Sequence, residues 1–420
     1  MTAEISNASV TPQVLVSHPT GNQNVRNALA ALAEKGMLAE FWTTVAWKPE
    51  SGWSRFLPDG LRHQLARRTY PEAGEVPIHC VFSRELVRLI ARDRGWLEWL
   101  SRDERPYSVI GMYRHFDGCV ARRVRSAAIG AVYAYEGGAR ESFREAKRRG
   151  IGRFYELPSS YWDWEIRLLA EEAERNPEYA GLLPKLKDSA RHNAWKDEEL
   201  GLADWVIVPS EHVRRTLEGV VPQERIRVVA YGAPPVLERG KAQTDSSRPL
   251  QVLFVGALSQ RKGIGYLLEA VERLGKRVEL TIVGGRIAAN SKVDAACSRW
   301  RWFPSLTHAE VLERMLEADV LVLPSLAEGC ALVVPEALAC GLPVIVTPNT
   351  GALEFVRDGE EGFVVPIADA EAIADRLNRL DGDRERLWAM SVAAQRRAQA
   401  LSWQQYREHL AKTVREGICH

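Results

Sequence analysis

The sequence predicts an α/β protein whose doubly wound parallel sheets form two domains facing a cleft. Three observations carry this. The C-terminal half alternates short apolar runs with amphipathic helical stretches at the spacing of βαβ units. The N-terminal half repeats that grammar with longer interruptions. The chain has 420 residues, more than one hydrophobic core normally serves.

In chain order, Val14-Leu-Val-Ser17 reads as a strand leading through His18-Pro-Thr-Gly-Asn-Gln-Asn24 into an alanine- and leucine-rich helix that ends at Lys35-Gly36. Residues 46–106 read as a helical insertion rich in tryptophan and arginine, with Trp96 and Trp99 inside Arg84 to Arg102. Strand candidates follow at Ser108–Gly111, Ala128–Tyr133 and Asp204–Val208, with a second mainly helical stretch over 158–200. Tyr231-Gly-Ala-Pro-Pro235 through Arg248 reads as a linker, which gives an N-terminal domain of 1–235 and a second of 236–400. The second opens with a strand at Gln251–Val255. A helix over Gly263–Leu274 follows, with Leu267, Leu268, Val271 and Leu274 on one face. Strands at Val278–Val283, Val320–Pro324 and Val344–Thr347 then alternate with helices at Ala309–Glu317 and Val334–Cys340. The segment 401–420 holds a last amphipathic helix, Trp403 to Glu416.

Fifty-six basic and 55 acidic side chains leave a net charge of +1, so no global field calls for nucleic acid or an acidic membrane. Six cysteines without a CxxC pair or regular spacing support neither a disulfide framework nor a zinc site, and suit a reducing, cytoplasmic setting. The polar N-terminus lacks the plan of a signal peptide, and no apolar run approaches the ~20 residues of a membrane span. Asp381-Gly-Asp383 has an acidic spacing used for metals, but it sits between two helical stretches and reads as a loop.

The most informative stretch is Glu328-Gly-Cys-Ala-Leu-Val-Val-Pro-Glu336. A strand feeds a short loop with one glutamate, and a helix starting near Leu332 carries the other. Free amides and the dipole at a helix start favour a phosphate, and carboxylates accept hydrogen bonds from sugar hydroxyls. That combination suits a sugar nucleotide. A hydrolytic acid/base pair fits less well. Fully helical residues 328 and 336 would stand ~12 Å apart along the axis, against about 5 to 9.5 Å for glycosidase carboxyls.

Several motifs in order resemble the family 4 retaining glycosyltransferases, also called glycosyl transferases group 1. They are Phe254-Val-Gly-Ala-Leu-Ser-Gln-Arg-Lys-Gly263, Leu280-Thr-Ile-Val-Gly-Gly285, Ala318-Asp-Val-Leu-Val-Leu-Pro-Ser325, the Glu328/Glu336 pair and Asp358-Gly-Glu-Glu-Gly-Phe-Val-Val365. A weaker match is Ala203-Asp-Trp-Val-Ile-Val-Pro-Ser210 with Val228-Val-Ala-Tyr-Gly232. The resemblance implies a GT-B fold of two Rossmann-like domains and a nucleoside-diphosphate sugar as donor. It further implies retention of anomeric configuration, no cofactor or catalytic metal, and a final helix that crosses back to the N-terminal domain.

On that resemblance Lys262, assisted by Arg261, takes the donor diphosphate, Glu328 the donor sugar and Glu336 the ribose. The amides of Gly329, Cys330, Ala331 and Leu332 face the diphosphate or sugar, while Gly256 and Gly284 allow close backbone approach. Gly21 and Asn22 stand where the family's first loop meets donor and acceptor. Many members carry arginine after the first glycine, where this chain has Ala257, and a histidine in the loop where it has Glu136. Glu136, or His18, is then the candidate to orient or deprotonate an acceptor hydroxyl. The acceptor expected is a saccharide or lipid-linked species, in polysaccharide or glycolipid assembly. The tryptophan-rich insertion would rest peripherally on the membrane bearing it, or else form a lid or packed helices. A sugar-nucleotide epimerase, a phosphorylase and a catalytically silent sugar-nucleotide-binding scaffold remain the alternatives.

Overall fold

A computed structural model describes residues 12–47, 68–85, 106–183, 189–237 and 247–419, with Leu65, Val87, Arg88 and Leu186. Its frame is two all-parallel sheets. The first has seven strands, β1 (Val14–Ser17), β2 (Leu38–Thr43), β3 (Ile78–Cys80), β4 (Ala131–Tyr135), β5 (Gly152–Glu156), β6 (Trp205–Val208) and β7 (Ile226–Val228), in the order β3-β2-β1-β4-β5-β6-β7. The second has six, β8 (Leu250–Val255), β9 (Val278–Val283), β10 (Arg301–Phe303), β11 (Val320–Leu323), β12 (Val344–Val346) and β13 (Gly362–Val364), in the order β10-β9-β8-β11-β12-β13. Both follow the doubly wound Rossmann plan, whose order reverses beside the first strand. Ligand crevices therefore open between β1 and β4 and between β8 and β11.

The strands are near-continuous apolar runs because helices cover both faces. Val14, Leu15, Val16, Leu321, Val322 and Leu323 are fully buried. The covering helices in the first half are α1 (Gln23–Glu34), α2 (Val109–Val124), α3 (Arg140–Arg148), α4 (Trp162–Arg175), α5 (Ala190–Leu202) and α6 (Glu211–Thr216). The second half has α7 (Ile264–Leu274), α8 (Ser291–Arg299), α9 (His308–Glu317), α10 (Val333–Ala339), α11 (Ala370–Gly382) and α12 (Arg384–Ala400). The final helix is α13 (Trp403–Cys419).

Several sequence expectations change. Ser108–Gly111 is not a strand: the Ser108 hydroxyl accepts from the Gly111 amide at 3.0 Å and caps α2. Within 46–106 the described part includes β3 rather than helix alone, and Trp96 and Trp99 lie outside the described residues. Strand β5 escapes a hydropathy reading because it carries Arg153 and Glu156. Glu156 is nonetheless buried, accepting from Tyr133 (2.6 Å) and Tyr231 (2.9 Å) hydroxyls. Asp381-Gly-Asp383 is no loop: Asp381 and Gly382 lie in the last turn of α11, Asp381 pairs with Arg384, and Asp383 caps α12 through the Arg386 amide.

Helix α13 packs on the first half although it follows the second. Arg407 reaches Glu34 at 3.1 Å, and Trp205 Nε1 donates to the Gly417 carbonyl at 2.9 Å. Its entry passes so close to Gly232 that a Cβ there would lie 2.3 Å from the Trp403 nitrogen. Gly232→Ala should displace the start of α13 and cost about 1–3 kcal/mol by overpacking, read as a lower melting temperature than wild type.

Candidate functional site

Both crevices open onto one seam. After β8, Gln260–Lys262 forms a 3-10 turn closed by left-handed Gly263 at φ +72°, where a Cβ would meet the Pro324 carbonyl at 2.0 Å. Gly256, at φ +152°, lets the Lys262 chain cross the strand end, since a Cβ there would be 2.7 Å from Lys262 Cδ. Gly284 closes β9 against the Gly256 carbonyl in the same manner.

After β11 the loop brings Glu328 to this turn. Lys262 Nζ is 2.5 Å from Glu328 Oε1 and Arg261 NH1 is 3.2 Å from Oε2. Arg261 also donates to the Ala327 carbonyl at 2.6 Å. Burial alone would raise the Glu328 carboxyl, but Lys262 and Arg261 outweigh it and hold the group below its usual range. From the N-terminal half, buried Glu165 on α4 lies 3.9 Å from Arg261 Nε, a partner without a motif to announce it.

The Glu328 loop is clasped across the seam. Ser160 donates to the Glu328 carbonyl at 3.2 Å and Ser210 to the Gly329 carbonyl at 2.7 Å. His212 Nε2 lies 3.0 Å from the Ser160 hydroxyl, whose hydrogen is spent on Glu328. A Cβ on Gly329 would stand 1.8 Å from the Pro158 carbonyl, so only glycine fits. Ser210 belongs to a motif visible in the sequence; Ser160 follows the unread strand β5.

Glu336, on α10, has His308 Nδ1 at 3.9 Å. Burial raises its carboxyl and His308 offsets this in part. The Ala331 amide is engaged with the Thr350 carbonyl at 3.1 Å. Burial pushes the Cys330 thiol far up, which removes it as a nucleophile and suits a small spacer.

The first sheet's crevice gathers His18, Asn22, Tyr113, Tyr135, Glu136 and Lys196 around a cavity of about 280 Å³. Asn22 caps α1, and the neighbouring Gly21 has no room for a side chain, since a Cβ would meet the Tyr70 ring at 2.1 Å. Glu136 lies 3.5 Å from Lys196 Nζ. Its loop is fixed by buried carboxylates on two flanking helices. Glu199 accepts from the Gly137 and Ala139 amides at 2.7 and 2.8 Å, and Asp117 from those of Glu141 and Ser142 at 2.6 and 3.0 Å. His18 Nδ1 accepts from the Thr20 amide at 3.0 Å, so its proton sits on Nε2, and burial holds its pKa down at about 4. A larger cavity of about 500 Å³, between Tyr179 and Trp300, contains none of the sequence-predicted residues.

Residues 249–383 match the family model described as Glycosyl transferases group 1. The resemblance to the group 1 glycosyltransferases holds. Among curated relatives, the amylovoran biosynthesis glycosyltransferase AmsK of Erwinia amylovora is 29% identical over 206 residues, covering 45% of this chain and 49% of AmsK. The chain thus spans about half the length of that relative. Among solved structures, sucrose-phosphate synthase from Thermosynechococcus elongatus aligns over 96% of this chain and 98% of its own, at 19% identity and a TM-score of 0.65. HepE of Anabaena, in complex with UDP-glucose, covers 96% and 99% at 15% identity and a TM-score of 0.61. These likenesses show the GT-B fold. No helix among the described residues is long and apolar enough to cross a membrane.

Two histidines at the site make the stability of the fold depend on pH. His18 and His212 both fall from 6.5 to about 4 through burial. Below pH 6.5 the unfolded chain's histidines bind protons that these two refuse in the folded state, so their contribution to stability is full above 6.5 and is lost as pH falls toward 4. At ~1.4 kcal/mol per pKa unit the His18 share is on the order of 3 kcal/mol. His18→Asn, which keeps an acceptor for Thr20, should show a smaller drop in melting temperature between pH 7 and 4.5 than wild type.

Proposed function

We propose that the protein is a retaining, metal-independent glycosyltransferase that moves a sugar from a nucleoside-diphosphate sugar to an acceptor hydroxyl in polysaccharide or glycoconjugate assembly. The observation that carries this reading is the meeting of Lys262, Arg261 and Glu328 at the switch point between β8 and β11, inside the segment that matches the family model. Two fixed cations at a strand end suit the charge that develops on a departing diphosphate. On this reading that charge needs no metal to balance it. On the same reading Glu336, partly exposed beside His308, takes the ribose hydroxyls.

The Glu136 crevice receives the acceptor. A small pocket with a carboxylate, a neutral histidine and two tyrosines offers several hydrogen-bonding groups to hydroxyls. On the same-face mechanism the family resemblance implies, the leaving diphosphate helps deprotonate the acceptor. The protein's share is positioning and charge stabilisation. The AmsK and HepE likenesses support a saccharide-building role and a UDP-sugar donor respectively. Peripheral membrane contact through the 46–106 insertion belongs to the same proposal.

A thermal-shift screen against UDP, GDP, ADP, CMP and their common sugars tests this. One nucleotide should raise the melting temperature by mass action, and Glu336→Ala should abolish the shift. With that donor and a suitable saccharide, Lys262→Ala should lower kcat by about 10²- to 10³-fold, with the product keeping the donor's anomeric configuration by NMR. No stabilisation by any nucleotide would overturn the donor-site reading, whereas stabilisation without turnover of any acceptor would favour the silent scaffold.

A further inference from the structure

The cation pair at the seam is already occupied by the protein itself. Glu328 gives Oε1 to Lys262 at 2.5 Å and Oε2 to Arg261 at 3.2 Å, so one carboxylate takes both charges assigned to the diphosphate. Neither cation is placed to move far. The Lys262 stem runs against Gly256, with no room there for a Cβ. Arg261 is bonded to the Ala327 carbonyl at 2.6 Å, with Glu165 at 3.9 Å. A diphosphate arriving beside an unmoved Glu328 would bring like charges into contact within a partly desolvated site. The group that gives way is therefore the carboxylate, at the end of a flexible side chain whose backbone is clasped by Ser160.

We infer that Glu328 and the nucleoside diphosphate compete for Lys262 and Arg261, and that the donor's sugar hydroxyls are what the displaced carboxylate then binds. This rests on the donor-site reading proposed above. It makes Glu328 a specificity-determining residue that separates sugar-bearing donor from sugar-free product. A donor satisfies every group, with phosphates on the cations and hydroxyls on the carboxylate. A nucleoside diphosphate alone takes the cations and leaves a carboxylate, only 13% exposed, without hydroxyl partners. Product release and donor capture are thus two results of one exchange.

Calorimetric titration of the full chain with UDP and UDP-glucose, or with GDP and GDP-mannose if the screen selects guanine, tests this in wild type and Glu328→Gln. The variant should bind the free nucleoside diphosphate as tightly as wild type or tighter. Its preference for the sugar-bearing ligand should fall by about tenfold or more. Parallel weakening of both ligands, or an unchanged preference, would overturn the inference while leaving the donor site in place. Wild type that binds no nucleoside diphosphate would overturn the donor-site reading and this inference with it. Glu328→Asp, whose shorter arm draws the carboxylate back from the cations, should shift the preference in the same direction by less. It serves as the deciding variant if the glutamine form does not fold.

Discussion

Everything at the seam depends on the missing side chain of Gly329. Its Cα faces the Pro158 carbonyl so closely that a Cβ would sit at 1.8 Å, and Gly351 meets the Gly329 carbonyl under the same constraint. This lets a loop of the second sheet nest against the first sheet's strand ends. Ser160 and Ser210 then satisfy the carbonyls of Glu328 and Gly329, which would otherwise be buried without donors. Removing that fit would pull Glu328 away from the N-terminal half and separate Arg261 from Glu165.

The two sheets share a strand order, so chemistry-bearing residues appear at equivalent places. Asn22 and Glu136 follow β1 and β4; Lys262 and Glu328 follow β8 and β11. Facing two such crevices across a tight seam puts a cation-lined crevice beside one lined by a carboxylate, His18 and two tyrosines. The rigidity needed for positioning comes from buried polar groups. Glu199 and Asp117 each satisfy two orphan amides around the start of α3, and Glu156 gathers the Tyr133 and Tyr231 hydroxyls beneath α13. Across the seam, Glu172 binds Gln260 at 2.6 Å and Tyr266 at 2.7 Å, so α4 holds the turn that carries Lys262.

Four strands of the second sheet, β8, β9, β11 and β12, were legible as short apolar runs, two of them closed by Gly256 and Gly284, and the glutamate pair sits on local sequence; the three-residue edge strands β10 and β13 were not read as strands. Lys262, Arg261 and Glu328 were named from motif and meet in space. The first sheet was less legible. β5 hides behind Arg153 and Glu156, because a buried carboxylate looks exposed until its tyrosines, far apart in sequence, are assembled around it. Ser108–Gly111 resembles a strand by its β-branched pair, yet the serine side chain starts a helix. Glu165, Ser160 and Lys196 join the site only through tertiary packing, which no local spacing encodes. Asp381 was read as a loop residue because a charge between two helices commonly is one; its partner Arg384 settles it into a helix end.

The most direct measurement is a crystal structure of the full chain soaked with a nucleoside-diphosphate sugar. The diphosphate should lie on Lys262 and Arg261, with the Glu328 carboxylate turned onto sugar hydroxyls and the ribose on Glu336. A diphosphate bound elsewhere, in the cavity between Tyr179 and Trp300 for instance, with Glu328 still paired to both cations, would contradict it.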